Sequence, residues 1–291
     1  MIVDLIRTET DDGISTVGAL YPPRAEPPKD LAVDSILLIH GSGTNFYAPH
    51  GAAMAEDLSA AGIPSLSFNT RGHDIIWRDP ENGEYYGNAY EVLDDCNIDL
   101  KAGMDYLWSQ GYRRIGILGH SMGAVKVAYY AATARDPRVL VVVPISPVRL
   151  SYSYYLQSED RDEFKGIMDL ARSLEAEGKG DQVFKVDFPI PHMFGASSYL
   201  DKHGPDDRYN LVQLAHNIDI PMLVLGGTLE THTRLLDICT DLAKAAVNSP
   251  QADCVLIEGG THSLVNKREE AARAVVDWLT SVRVPSSQAA D

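Results

Sequence analysis

The chain has 291 residues, 45% of them hydrophobic and 23% charged. This is the balance of a folded globular protein, so disorder over the whole length is excluded, and the length suits two domains or one large α/β sheet. The formal net charge of −16, from 25 basic and 41 acidic residues, repels phosphate backbones and anionic lipid. Neither nucleic acid nor a membrane surface is therefore expected as a partner.

No apolar run approaches the ~18 residues of a membrane-spanning helix. The opening Met1-Ile2-Val3-Asp4-Leu5 reads straight into a strand, without the basic and apolar regions of a signal peptide. Cys96, Cys239 and Cys254 are odd in number and widely spaced, with no CxxC. Buried, unpaired thiols in a reduced, cytoplasmic compartment are expected.

Residues 2–8 and 14–21 alternate apolar and polar around Asp11-Asp12-Gly13, which predicts an antiparallel hairpin. After a Pro-rich stretch at 22–28, short apolar runs alternate with helical patterns. The runs are Ser35–His40, Pro64–Phe68, Ile115–Gly119, Val139–Ile145, Met222–Gly226 and Cys254–Glu258. They are apolar on both faces, as central strands of a mostly parallel sheet are. Leu93, Cys96, Leu100, Met104 and Leu107 predict an amphipathic helix within 89–110. A second helix, begun near His232, carries Leu235, Cys239, Leu242 and Ala246, and a third carries Ala272, Val275, Val276 and Leu279. Repeated βα units mean a doubly wound α/β sheet.

Residues 147–210 break this rhythm. Between 151 and 210 lie nine of the chain's 23 aromatics: Tyr152, Tyr154, Tyr155, Phe164, Phe184, Phe188, Phe194, Tyr199 and Tyr209. A mainly helical insertion that roofs an apolar pocket is expected there, with a core of 1–146 and 211–291 around it. The loop Asp79–Asn88 is expected to be a flexible rim near the pocket, and the small, polar tail Pro285–Asp291 to be frayed.

The strongest chemical signal is Gly119-His120-Ser121-Met122-Gly123, between the strand Ile115–Leu118 and the helical run Ala124–Ala134. This is the G-x-S-x-G nucleophile elbow in its strand–turn–helix setting. The serine sits on a cramped turn, the small flanking residues let strand and helix approach, and the helix N-terminus adds positive potential. Gly41-Ser42-Gly43 does not continue into a dinucleotide fingerprint, because Phe46 stands where the third glycine would fall. There is no HExxH, no P-loop pattern and no spaced Cys/His set, so neither a metal nor a cofactor is expected. Arg71-Gly72-His73-Asp74 reads as a structural turn.

With these residues the chain resembles the α/β-hydrolase superfamily, its serine esterase and lipase members in particular. The resemblance covers about residues 1–146 and 211–283, and 147–210 falls where that family inserts its cap. It implies a chain order of nucleophile, acid, histidine. Ser121 takes the nucleophile's place. The acid belongs just beyond the strand Pro221–Gly226, where Gly227-Thr228-Leu229-Glu230 stands in place of the usual G-x-x-D; Asp237 is a competitor farther into the next helix. The histidine belongs on the loop after the last strand, which is His262 in Gly259-Gly260-Thr261-His262-Ser263. The oxyanion donors become the backbone N–H groups of Met122 and of Ser42 (or Gly43), with His40 and His120 packed beneath the site. His50, His73, His192, His203, His216 and His232 have no comparable placement. The implied activity is hydrolysis of a small-molecule carboxylic ester with an apolar moiety, by an acyl-enzyme route. A carbon–carbon bond hydrolase or lactonase would use the same residues, and a ligand-binding receptor could keep them without turnover. An acyl-CoA thioesterase is disfavoured by the −16 charge.

Overall fold

The computed structural model describes residues 2–284; the tail predicted to fray, 285–291, lies outside them. In chain order the elements are β1 (Asp4–Glu9), β2 (Ser15–Tyr21), β3 (Ser35–Ile39), α1 (Pro49–Ala60), β4 (Ser65–Phe68), β5 (Trp77–Arg78), β6 (Tyr85–Tyr86) and α2 (Cys96–Ser109). Then come β7 (Ile115–His120), α3 (Met122–Thr133), β8 (Val139–Ile145), α4 (Tyr152–Tyr155), α5 (Arg161–Ala176), β9 (Val183–Val186), β10 (His192–Gly195), α6 (Ala196–His203) and α7 (Leu211–Leu214). The chain closes with β11 (Met222–Gly227), α8 (Ile238–Ala245), β12 (Ala252–Ile257) and α9 (Arg268–Ser281).

Eight strands form one sheet in the order β1-β2-β4-β3-β7-β8-β11-β12. The opening hairpin is antiparallel, as Asp-Gly predicts, and β2 meets β4 antiparallel; the remaining pairs are parallel. Because β3 to β8 are covered on both faces, their residues alternate between two cores rather than between core and water. Leu37, Ile39 and Ile117 pack with α2, α3 and α8, while Ile36, Leu38 and Leu118 pack with α1 and α9. The chain leaves β3 toward β4 and returns to its other side as β7. The crevice beyond the carboxyl ends of β3 and β7 is thus the switch point, where open α/β sheets bind ligands.

Several expectations shift. The strand predicted at Cys254–Glu258 is β12, a half-exposed edge strand rather than a central one. Of the helix predicted within 89–110, only a single 3-10 turn and α2 form. The helix predicted from near His232 begins at Ile238, because Asp237 takes a left-handed φ of +58° and ends the preceding turns. The loop predicted as a flexible rim contains β6, which pairs with β5 just before it, and Asp79 Oδ1 accepts the Glu81 N–H at 2.7 Å. Its Tyr85 and Tyr86 line a separate polar depression with Arg71 and Glu91.

The stretch between β8 and β11 contains helices and also the antiparallel β9–β10 ribbon. Tyr155, Phe164, Phe188, Phe194 and Tyr199 form a hydrophobic cluster of its own, against which Tyr152, Tyr154 and Phe184 pack; Tyr209 joins the main core. These aromatics were expected to roof a pocket, and they face one another instead. Cys96 and Cys239 are buried and Cys254 is half-buried, all three unpaired. Among the described residues no helix is long and apolar enough to cross a membrane, and no three His, Cys, Asp or Glu side chains are grouped to hold a metal ion.

Arg71 shows the structural turn at work. Its guanidinium reaches Asp12 of the hairpin loop at 2.8 Å, Asp95 at 3.4 Å and Asp99 at 3.0 Å. It thereby ties the opening hairpin to the start of α2.

Candidate active site

Ser121 occupies the one-residue turn between β7 and α3 with φ +58° and ψ −117°. This is a costly backbone state for a residue with a Cβ, held only where its surroundings over-determine it. The flanking glycines supply the constraint. A Cβ on Gly119 would lie 2.1 Å from the Gly123 carbonyl oxygen, and one on Gly123 would lie 2.3 Å from that of Ile39. The Ser121 N–H donates to the Ile145 carbonyl at 2.9 Å, which pins the turn to the end of β8.

The strand ends bring the predicted residues together. The Ser121 hydroxyl lies 3.0 Å from His262 Nε2, and His262 Nδ1 lies 3.3 Å from Glu230 Oε2. The other Glu230 oxygen, Oε1, accepts the Ser146 hydroxyl at 2.5 Å and the Gly227 N–H at 2.9 Å. Burial alone would raise the Glu230 pKa, but bonds from His262, Ser146 and Gly227 outweigh it and hold the carboxyl below its usual range. Asp237 is exposed at the N-terminus of α8, and its carboxylate has no bond to His262. Of the two carboxylates, Glu230 is the one that reaches His262.

His120 holds the histidine loop: its Nε2–H donates to the His262 carbonyl at 2.8 Å. Burial pushes its pKa down to about 3, so the ring stays neutral. His40 is likewise driven to about 3 by burial, and its Nε2 accepts the Thr70 N–H at 3.1 Å. Beneath it lies a buried ion network, with Lys126 Nζ 2.5 Å from Glu91 Oε1 and Lys202 Nζ 3.4 Å from Glu91 Oε2. Lys126 also donates to the Thr70 hydroxyl at 2.7 Å.

A cavity of about 150 Å³ opens over these groups, lined by Gly41, Ser42, Ser121, Ile190, Arg234 and His262 among others. Ser42 faces it; Gly43 turns away with φ +59°, against Ile75 and His192. Gly41 leaves little space for a side chain, since its Cβ would meet that of Ser121 at 3.2 Å. The Met122 N–H is the first of α3 and has no acceptor within its helix. A second chamber of about 210 Å³, lined by Leu38, Met54, Leu118, Ile145, Leu264 and Val265, shares His50 and His120 with the first.

Ser146, Ile190, His192 and Arg234 were missed in the sequence. Ser146 had a weak signal, as the residue that ends β8 at the same sheet edge. Ile190 and Arg234 lie on loops and His192 opens β10, where the neighbours are set only by tertiary packing.

A profile described as the Alpha/beta hydrolase family matches residues 36–278. The chain belongs to the alpha/beta hydrolase family. No curated protein sequence matches it significantly. Among solved structures, this alpha/beta hydrolase is similar to Est1E from Butyrivibrio proteoclasticus with ferulic acid bound, at 19% identity and TM-score 0.65 over 94% of this chain and 97% of that one. It is also similar to the alpha/beta hydrolase GrgF from Penicillium sp. sh18, at 15% identity and TM-score 0.70 over 96% and 98%. The Pyrococcus furiosus esterase Pf2001 matches at 16% identity and TM-score 0.61 over 96% and 91%. At such identities the likeness is one of fold.

Proposed function

We propose that this alpha/beta hydrolase cleaves small-molecule carboxylic esters through a Ser121–His262–Glu230 triad and an acyl-enzyme intermediate. The observation that carries this reading is the 3.0 Å and 3.3 Å relay from Ser121 through His262 to Glu230, open to a cavity. Ser121 Oγ attacks the ester carbonyl carbon while its proton passes to His262 Nε2. Glu230, kept ionised, fixes the tautomer and stabilises the imidazolium. The N–H groups of Met122 and Ser42 hold the oxyanion. Collapse expels the alcohol, which takes the proton from Nε2. Water then attacks the acyl-Ser121 carbonyl and gives a proton to Nε2; collapse breaks the bond to Ser121 Oγ, which takes that proton back, and the acid leaves. No step calls for a cofactor.

The stretch 147–210 is a cap in this reading, set on a core of 1–146 and 211–291. Its own aromatic cluster and the placement of Ile190 on the cavity wall support that role. The adjoining apolar chamber suits an apolar acyl or alcohol moiety, and three unpaired thiols suit a reducing, cytoplasmic compartment. Turnover of 4-nitrophenyl butyrate by the wild type, lost in Ser121→Ala beyond the residual that an oxyanion hole supplies, is the expected result. Equal rates in the two proteins would remove Ser121 from the chemistry.

A further inference from the structure

Arg234 lies on the turn that links β11 to α8, and that turn is fixed from both sides. The Arg149 N–H donates to the Arg234 carbonyl at 2.8 Å, and the Thr233 hydroxyl donates to Asp160 at 2.5 Å. Arg234 lines the same cavity as Ser121 and His262. The other arginines buried in this chain are neutralised: Arg71 by Asp12 and Asp99, Arg149 by Asp241. Arg234 is half-buried, yet among the described residues no carboxylate lies within 4 Å of its guanidinium and no acceptor bonds it; only the backbone N–H finds a side chain, donating to His232 Nδ1 at 3.2 Å. Burial pushes its pKa below the ordinary arginine value, with only distant help from Tyr155 and Glu230. A guanidinium does not lose its proton in proteins. The charge therefore stands in a partly desolvated site without a counter-ion, an arrangement that is expensive until a partner arrives.

We propose that Arg234 is a specificity-determining residue and that the preferred substrates are esters carrying a free carboxylate on the acyl half. Its forked donors match a carboxylate bidentately. The apolar chamber beside the cavity then takes the uncharged alcohol half. The overall charge of −16 sharpens the point, since the rest of the molecule repels such a substrate and only a local, poorly screened cation holds it. This inference rests on the ester-hydrolase reading, and the test separates the two.

The test compares 4-nitrophenyl hemiglutarate with 4-nitrophenyl valerate, which have the same acyl chain length. In the wild type, kcat/KM for the hemiglutarate should exceed that for the valerate by about 10- to 100-fold, the value of a charge-assisted bond. Arg234→Met should collapse that ratio, chiefly through KM for the anionic ester, and Arg234→Lys should keep part of it. A wild type that prefers valerate, or a ratio that Arg234→Met leaves unmoved, overturns the proposal while leaving ester hydrolysis in place. If Arg234→Met does not fold, the wild-type ratio and the Lys variant decide. If no ester is turned over, the ester reading fails, and calorimetry on Ser121→Ala decides this one. Monomethyl glutarate binding tighter than methyl valerate supports the proposal, and equal or weaker binding refutes it.

Discussion

A carboxylate orients an imidazole only while it is ionised and aimed, and Glu230 meets both conditions through groups on two different strand ends. The Gly227 N–H is local, at the end of β11, whereas the Ser146 hydroxyl comes from the end of β8, 84 residues away in the chain. The turn that carries Glu230 was legible because an acid beyond that strand is what the family resemblance asks for. Its partner Ser146 was not, since a contact of that separation exists only once β8 and β11 pair. Glutamate in place of aspartate costs little here, because the extra methylene is taken up by a side chain whose far oxygen is clamped twice. Glu230→Gln should lower kcat strongly, by up to about 10⁴-fold as for other triad acids. Glu230→Asp should fall between, and Asp237→Asn should stay near the wild type. Steady-state kinetics on one ester measures all three, and an inactive Asp237→Asn beside a normal Glu230→Gln would exchange their roles. Because Glu230 is held below the usual carboxylate range, loss of rate between pH 7 and 5 should not come from its protonation.

At the scale of elements, periodicity revealed what burial repeats and missed what charge does inside. The strands and the hairpin stand out because their apolar alternation is set by the sheet itself. Helix α3 is buried from Met122 to Ala132, so no polar face marks it, and Lys126 within it looks out of place in the sequence. Its explanation is Glu91, which also takes Lys202 from α6. This network ties α3 to the proposed cap, with two buried ammonium groups sharing one carboxylate. Removing the central acid leaves two buried ammonium groups facing each other. Glu91→Gln should therefore lose about 3–5 kcal/mol of stability, the cost of breaking a buried pair, seen as a lower urea midpoint. A midpoint within error of the wild type would mean that the lysines find water instead. The aromatics of 151–210 teach the same lesson from the apolar side. Their density signals a core, and whether that core faces a ligand or itself is decided by the β9–β10 ribbon and α5–α6 packing, which composition does not encode.

For the molecule as a whole, the folded state holds His40, His120 and His203 neutral by burial, each driven to about 3. The ordinary value in an unfolded chain is ~6.5, so between about 3 and 6.5 the unfolded state binds more protons. Stability is then complete above ~6.5 and declines as pH falls through that window. One unit below 6.5 the loss is about 1.4 kcal/mol per histidine. Asp99, pushed up to about 6 by burial against the pull of Arg71, works in the opposite sense between roughly 4 and 6 and offsets part of it. His203 isolates the effect. Both of its ring nitrogens lack hydrogen-bond partners among the described residues, and the ring packs against Tyr155, Phe194 and Tyr199. His203→Phe should add more stability at pH 5.5 than at pH 7, by about 1.4 kcal/mol, in paired urea titrations. An equal gain at both values would show that His203 is not a buried neutral group.

The doubly wound sheet and the turns that carry Ser121, Glu230 and His262 were readable along the chain, because strand ends and turns are local features. The surroundings of the cavity, Arg234 and Ile190 above all, arise where separate loops converge and had no such mark. The claim on which the rest depends is that Ser121 is a nucleophile activated by His262. Peptide mass mapping after brief exposure to a fluorophosphonate tests it most directly. One phosphonyl group on the peptide containing Ser121, formed in the wild type and lost or slowed by orders of magnitude in His262→Ala, is the predicted result. An unmodified Ser121 in a folded wild type, or labelling as fast without His262 as with it, would contradict the account.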